Sequence, residues 1–490
     1  MNKKETVNII GAGFSSLAAA CYLAKAGKKV HVFEKNSHLG GRANQWEKDG
    51  FKFDMGPTWY WMPDVFERFF SAFGKTPSKY YTLEKLSPAY KVYFSEDAQV
   101  NIPDNLEDIY DLFEEKEIGA GKQLKAFISK AKDNYDIAIK DLVEKPGLSP
   151  LELVNTKTVS RMGRFFTNMR SDIKSYFKHP ELIQLLEFPV LFLGAKPEDT
   201  PSFYSFMNYA DMGLGTWYPK GGMFSVAQGM GRLAKELGVV FHLNAPVDEF
   251  ILENKSVVGL KSNHSSHYAK YTISGADYAH TETLLPQNLR QYSASYWDKK
   301  VFAPSALLYY VGFESPLEHL EHHCLFFDED FDVHAKDIYD KPAWPKAPLF
   351  YASFPSITDK SIVPEGKMSG IFLIPLAPGL QDSDEEREHQ FNVMMERLEK
   401  LSNQDVRSKI EFKQSYCIND FKKDYNSYKG NAYGMANTLV QTAFLRPKIK
   451  SKKVKNLYFT GQLTVPGPGV PPALISGKIV ANQILDKPYE

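Results

Sequence analysis

The sequence predicts an α/β fold of the Rossmann-like type with an α+β domain inserted into it, and three observations carry that prediction. Residues 7–35, "VNIIGAGFSSLAAACYLAKAGKKVHVFEK", read as strand, turn, helix and strand. Residues 455–485, "KNLYFTGQLTVPGPGVPPALISGKIVANQIL", read as a strand, a proline/glycine loop and a helix beginning near Pro472. Between them, runs of strand type ("SALLYYVGFE", "APLFYASFP", "GIFLIPLAP") alternate with long amphipathic stretches.

In the first unit "VNII" is the apolar strand, and "LAAACYLAKAG" has helical spacing and stops at Gly27. Gly11 makes the tight turn, Gly13 lets backbone N–H groups approach phosphates, and the third position, Ser16, needs only to be small so that helix and strand pack closely. "KKVHVFE" is the second strand. It closes on Glu34, 34 − 13 = 21 positions past the second glycine. An acid there accepts hydrogen bonds from ribose hydroxyls and repels a 2′-phosphate. A βαβ context of this kind makes the glycines a dinucleotide site.

The next segment, "KNSHLGGRANQW", adds Gly40, Gly41 and Arg42: a second close backbone approach and a guanidinium fork, both suited to a pyrophosphate. "DGFKFDMGPTW" then alternates apolar and polar residues into a turn at Gly56 and Pro57. In "TWYWMPDVFERFF" Pro63 and Asp64 open a helix that puts Val65, Phe66, Phe69 and Phe70 in the core.

The chain has 490 residues, 43% of them hydrophobic and 14% aromatic, enough for two domains with real cores. Its 59 basic and 59 acidic side chains balance, which excludes a general nucleic-acid binder. Cys21, Cys324 and Cys417 are scattered, fitting a reducing compartment and no metal spacing. "MNKKETVNII" is not a signal peptide, and no stretch approaches the ~20 apolar residues of a spanning helix. The expected location is cytoplasmic. No repeat or low-complexity tract is present. The histidine-rich "HLEHHC" (319–324) reads as a solvated surface turn, and no serine/histidine/aspartate constellation or carboxylate pair stands out.

Taken together, the N-terminal unit, the Gly-Gly-Arg loop and the C-terminal strand–loop–helix resemble bacterial-type phytoene desaturases, carotenoid desaturases of the amine-oxidase-like flavoprotein fold. Gly461, Pro466, Gly467 and Gly469 match that family's C-terminal signature, whereas Gln462, Leu463 and Val465 depart from it. "TWYPKGGMFSVAQGMGRLAKELG", "VVFHLNAPVDEFILENKSVVGLKS", "YTISGADYAHTETLL" with Ala276 and Asp277, and "IVPEGKMSGIFLIPLAPGL" match interior family segments in order.

The resemblance implies FAD, held non-covalently because no cysteine follows Lys455. It places Gly11, Gly13, Phe14, Ser15, Ser16, Glu34, Lys35, Gly41, Arg42, Gly56, Pro57, Thr58, Val247, Asp277, Gly461, Gln462, Gly469 and Val470 at the cofactor, Val247 near the adenine. The implied FAD domain is discontinuous, about 1–80, 215–290 and 440–490. Segments 85–214 and 295–435 form the substrate domain.

The implied reaction moves a hydride from a carotenoid to flavin N5 and loses a proton from the neighbouring carbon. The substrate is phytoene or a 1-hydroxylated carotenoid desaturated at C3–C4, and the final electron acceptor is oxygen or a quinone. The same fold also hosts flavin-dependent carotenoid isomerases, amine oxidases and non-enzymatic prenyl-binding carriers. No catalytic residue or metal ligand is assigned. "TWYWMPDVFERFF" also suits one wall of a polyene tunnel. So hydrophobic a substrate implies peripheral contact with a membrane surface. The expected contact is residues 160–195, where Arg161, Arg164, Arg170, Lys174 and Lys178 interleave with Met162, Phe165, Phe166, Met169 and Phe177.

Overall fold

A computed structural model describes residues 6–153, 164, 167–438 and 440–486. Its first sheet has five strands in the order Leu457–Phe459, Tyr271–Ser274, Thr6–Ile10, Lys29–Phe33, Val240–His242. Every pairing in it is parallel. Val7, Ile9, Val30, Val32, Ile273 and Leu457 are all buried, as expected of a parallel sheet covered on both faces. The Phe14–Lys25 helix follows the first strand and ends just before Gly27, whose φ of 82° suits glycine. Against it lies the Val470–Leu485 helix. A Cβ on Gly477 would sit 2.3 Å from the Ser15 carbonyl oxygen, so only glycine permits this crossing. The Met223–Glu236 helix packs on the same Phe14–Lys25 helix.

A second, seven-stranded sheet runs Ile410–Tyr416, Ser305–Phe313, Met368–Leu376, Phe350–Ser353, His323–Phe326, Tyr90–Tyr93, Gln99–Ile102. It is antiparallel except where His323–Phe326 pairs with Tyr90–Tyr93. Along Ser305–Phe313 the two faces separate with period two. Leu307, Tyr309, Val311 and Phe313 pack with Phe391, Met394 and Leu398 of the Asp384–Ser402 helix. Ala306, Leu308 and Tyr310 pack with Phe51, Phe53 and Phe421. A three-stranded antiparallel sheet, Val247–Glu253, Ser256–Ser262 and Ser265–Tyr268, flanks the first.

The amphipathic stretch after residue 104 forms the helices Leu106–Lys116 and Ala120–Ile137. Asn105 caps the first by accepting the Asp108 N–H at 3.0 Å. Just before it, Tyr90–Tyr93 and Gln99–Ile102 are strands: "YKVYFSEDAQVNI" alternates around a Ser-Glu-Asp turn and adds an edge hairpin to the large sheet.

Candidate cofactor and substrate site

Where the first strand ends, the chain turns at Gly11, with φ 82° and its N–H donating to the Phe33 carbonyl at 2.7 Å. Gly13 caps the following helix, and a Cβ built on it meets nothing within 4 Å. Its side-chain direction therefore opens into free space at a helix N-terminus, where the positive end of the helix dipole favours an anion. The second glycine pair closes the other side. The Gly40 N–H donates to the Ala12 carbonyl at 2.9 Å, and a Cβ on Gly41 would lie 3.0 Å from the Gly13 Cα. Ser16 stands apart from this cradle. It is fully buried, and a Cβ on Gly275 would come within 2.0 Å of its hydroxyl, so it packs helix against sheet and does not line the cavity.

Glu34 is buried at the end of its strand. One carboxylate oxygen accepts the Ala12 N–H at 2.8 Å and the other the Asn36 N–H at 2.9 Å. Each oxygen keeps a further lone pair for a ribose hydroxyl.

Arg42 lines the same cavity. Its Nη2 donates to Ser427 Oγ at 3.0 Å, and with the Gln462 amide oxygen turned toward the guanidinium both terminal nitrogens reach that oxygen at 2.9 and 3.0 Å. Tyr425 lies under the fork, 5.3 Å from it. Its Nε is buried and has no hydrogen-bond partner. Among the described residues no carboxylate bonds to it. Burial therefore pulls its pKa down, with Asp277 the first of the groups that oppose the shift. The Asp277 carboxylate instead accepts the His280 and Tyr428 N–H groups, both at 3.2 Å. A shielded cation with a spare donor is a site for an anion, and a pyrophosphate fits it.

At the C-terminal end Gly461 and Gly469 adopt φ of 104° and 113°. A Cβ on Gly461 would lie 3.2 Å from Ser15 Oγ, so the loop presses close against the first helix. The final helix starts at Val470, two residues ahead of Pro472. Pro471 and Pro472 carry no N–H and the Ala473 N–H is bonded to Gly469, so Val470 is the donor its first turn can offer.

Arg446 supports this loop from beneath. It is 2% exposed and donates to the carbonyls of Thr464 (2.9 Å), Gln462 (2.8 Å) and Met435 (3.0 Å) and to Asn437 Oδ1 (2.6 Å). Burial pulls it down to about 10. In "RPKIKSKKVK" it reads as one more surface cation, and nothing in the sequence distinguishes it.

All the residues expected at the cofactor except Ser16 line one cavity of about 650 Å³. Past Gly56, Pro57 and Thr58 its wall becomes apolar: Trp59, Trp61, Met62, Phe188, Phe203, Phe206, Leu325 and Phe327. The aromatic run thus serves both purposes. Trp59, Trp61 and Met62 face the cavity, while Val65, Phe66, Phe69 and Phe70 are buried in the core of the Pro63–Ser71 helix.

One expectation is corrected. "HLEHHC" is not a solvated turn: His322 and His323 are buried, because residues 323–326 form an interior strand of the large sheet. His323 stacks on Trp59 with centroids 4.0 Å apart, and its Nδ1 lies 2.7 Å from the Tyr351 hydroxyl. Its Nε2 is buried without a partner, an arrangement that costs about 1–3 kcal/mol. Tyr351 in turn lies 2.8 Å from Thr58 Oγ1. Histidines in a strand-like run ending "CLFF" were the signal for burial.

In its described part the 160–195 alternation leaves Lys174 and Lys178 exposed but turns its apolar residues inward. Met169 and Phe177 are buried in the core, and Arg170 is tied to Glu187 at 2.8 Å and to Glu198 at 2.7 Å. Arg164 is paired with Asp133 at 2.8 Å. Arg161, Met162, Phe165 and Phe166 lie outside the described residues.

Comparison with known proteins places the chain. A family model for flavin containing amine oxidoreductases matches residues 14–485. The chain is 40% identical over 486 residues to a carotenoid 3,4-desaturase of Haloarcula japonica, covering 98% of both chains. It is 32% identical over 497 aligned positions to a 4,4′-diapophytoene desaturase (4,4′-diaponeurosporene-forming) of Staphylococcus aureus, again covering 98% of both. Among solved structures, putrescine oxidase bound to putrescine superposes with a TM-score of 0.64 at 15% identity over 99% of both chains, a likeness of fold.

Proposed function

The chain belongs to the flavin containing amine oxidoreductase family, and from that premise we propose that it is an FAD-dependent carotenoid desaturase. The observation that carries this reading is the continuity of the cavity, from the glycine cradle and Arg42 to a long apolar wall. When bound, FAD supplies the hydride acceptor for C–H oxidation. Gly11, Gly13, Gly41 and the N–H groups of Phe14 and Ser15 hold the pyrophosphate with Arg42. Glu34 takes the ribose hydroxyls, with Lys35 beside it, and Val247 borders the adenine. Gly56–Thr58, Asp277, Gly461, Gln462, Gly469 and Val470 face the rest of the cofactor, which is held without a covalent bond. Residues 1–80, 215–290 and 440–490 form the cofactor domain, and 85–214 and 295–435 the substrate domain.

The apolar wall keeps water from the reacting carbons and holds the polyene extended. The mostly apolar lining of the cavity supports an acyclic or monocyclic carotenoid as the ligand class. The name of the Haloarcula relative favours desaturation at C3–C4. Chromatography of pigments from cells making phytoene, and separately a 1-hydroxylated carotenoid, tests the reading. New conjugated double bonds in either background support it, and unchanged pigments in both refute it.

Such a substrate gains about 0.8 kcal/mol per CH₂ by staying out of water, so it passes directly between the protein and a bilayer. No helix among the described residues is long and apolar enough to cross a membrane. The contact surface is the rim of the cavity. Gly147, Ser149, Glu152, Thr442, Ala443 and Phe444 line this part of the cavity. Beside them Leu151 is 77% exposed, Val440 72% and Leu148 59%. Lys448 ties the two segments together through the Gly147 and Phe444 carbonyls at 2.6 and 2.7 Å. Lys450, Lys452, Lys453 and Lys455 follow it, exposed. Exposed leucines next to a lysine run suit an anionic lipid surface.

A further inference from the structure

Loss of hydride leaves an allylic cation whose neighbouring carbon must give up a proton, and none of the groups placed at the cofactor is positioned to take it. The Asp and Glu side chains that line the cavity are otherwise engaged: Glu34 and Asp277 bond backbone N–H groups, Asp424 accepts the Tyr416 hydroxyl at 3.0 Å, and Glu152 accepts the Gly147 N–H at 2.8 Å and the Leu148 N–H at 2.9 Å. A different set of groups meets the cavity where the Gly56–Thr58 turn gives way to the apolar wall. Thr58 and Tyr351 both line it, their hydroxyl oxygens 2.8 Å apart, and Tyr351 continues at 2.7 Å to His323 Nδ1. Trp59 covers the imidazole and fixes its plane.

We propose that Tyr351 is the catalytic group that receives the substrate proton and that His323 stores it. This inference rests on the desaturase reading. In the resting protein His323 carries its proton on Nε2, so that Nδ1 accepts the Tyr351 hydroxyl and Tyr351 accepts from Thr58. The C–H bond beside the cation breaks and its electron pair becomes the second half of the new double bond. Its proton joins the Tyr351 oxygen as the Tyr351 hydroxyl proton moves to Nδ1. The hydride with its two electrons has gone to the FAD of the proposed activity. His323 is left as imidazolium and returns the proton to water through the same chain once the product leaves.

The surroundings suit the task. Burial, reinforced by the neighbouring His322, holds His323 well below the usual histidine range, so at neutral pH its lone pair is free. A weak base suffices, because a C–H bond next to an allylic cation is a strong acid. A neutral phenol at the cavity wall, unlike a carboxylate, does not form an ester with the cation.

The test uses the FAD-loaded protein with carotenoid in vesicles, comparing wild type with Tyr351→Phe and His323→Asn. Tyr351→Phe removes one oxygen and keeps the ring. It is expected to lower kcat about 100-fold or more, with KM and flavin content within twofold of wild type. Asn at position 323 still accepts from Tyr351 but does not store a proton, so it too lowers kcat while KM holds. ¹⁵N NMR of histidine-labelled protein without substrate, with His323 identified by its loss in His323→Asn, shows an unprotonated Nδ1 whose shift moves in Tyr351→Phe. A Tyr351→Phe enzyme with more than half the wild-type kcat, or a protonated Nδ1 at rest, overturns the inference while wild-type turnover leaves the desaturase reading standing. Absence of wild-type turnover removes both.

Discussion

Replacing Arg42 by methionine separates a cofactor ligand from a structural residue by the sign of two effects. The guanidinium is held in the cavity wall with, among the described residues, no carboxylate bonded to it and Nε unpartnered. In the apoprotein its charge is a desolvation cost that no bonded anion offsets. Of its partners, Ser427 Oγ keeps its own 2.5 Å hydrogen bond to the Asn431 carbonyl, and the Gln462 amide, which loses both bonds to its oxygen, lines the open cavity. Methionine fills the stem volume, so the apoprotein should melt at the wild-type temperature or above it. Flavin binding should weaken by the charge-assisted hydrogen bonds to the pyrophosphate, about 1.5–3 kcal/mol, or roughly 10- to 150-fold in Kd. Titrating apoprotein with FAD by flavin fluorescence gives the affinity, and differential scanning calorimetry gives the melting temperature. An unchanged Kd would refute the assignment. An apoprotein that melts several degrees lower with intact affinity would move Arg42 to the fold.

Gly13→Glu should purify folded and free of flavin: its Cβ meets nothing within 4 Å, so the carboxylate enters the open anion site instead of clashing, and absorbance at the flavin bands reads the loss. Asp211 is buried, accepts the Tyr90 hydroxyl at 2.8 Å, and is raised to about 7 by burial. Its folded-state pKa lies above the unfolded value, so the stability it contributes is complete below about pH 4 and is lost as pH rises through about 7. Chemical denaturation across that window should show Asp211→Asn flattening the slope, and parallel curves would contradict it. Leu148→Ser with Leu151→Ser should lower sedimentation with anionic vesicles about tenfold or more while flavin content stays constant. Equal binding would shift the membrane contact elsewhere.

The cofactor half of the molecule was legible in the sequence because its chemistry is backbone chemistry at fixed spacing. Gly11, Gly41 and Gly461 are positions where φ or a close neighbour demands glycine, while Gly13 keeps the space beside the helix N-terminus open, and such positions are written directly into the residue order. Ser16 was legible as a small residue and its structural role is packing against Gly275. The substrate half was less legible, since its wall is assembled from residues such as Trp59, Phe188, Leu325 and Tyr351, far apart in the chain. His323 was misread because three histidines and a glutamate in six residues look polar. Its burial is decided by the neighbouring strands Phe350–Ser353 and Tyr90–Tyr93, which no local pattern announces. The 160–195 stretch was only partly legible for the converse reason. Among its described residues Arg164 and Arg170 find carboxylates from elsewhere in the chain, Arg170 with Asp332 at 2.8 Å being one, and Met169 and Phe177 turn inward, while Lys174 and Lys178 stay exposed.

An anaerobic single turnover tests the central claim most directly. The FAD-loaded protein is mixed with vesicles carrying phytoene or a 1-hydroxylated carotenoid, and the flavin and polyene absorbances are followed together. The account predicts that flavin bleaching and the red shift of the polyene proceed at one rate, with one double bond formed per flavin reduced. A flavin that stays oxidised with both carotenoids, or a lengthened polyene formed while no flavin is bound, would contradict it.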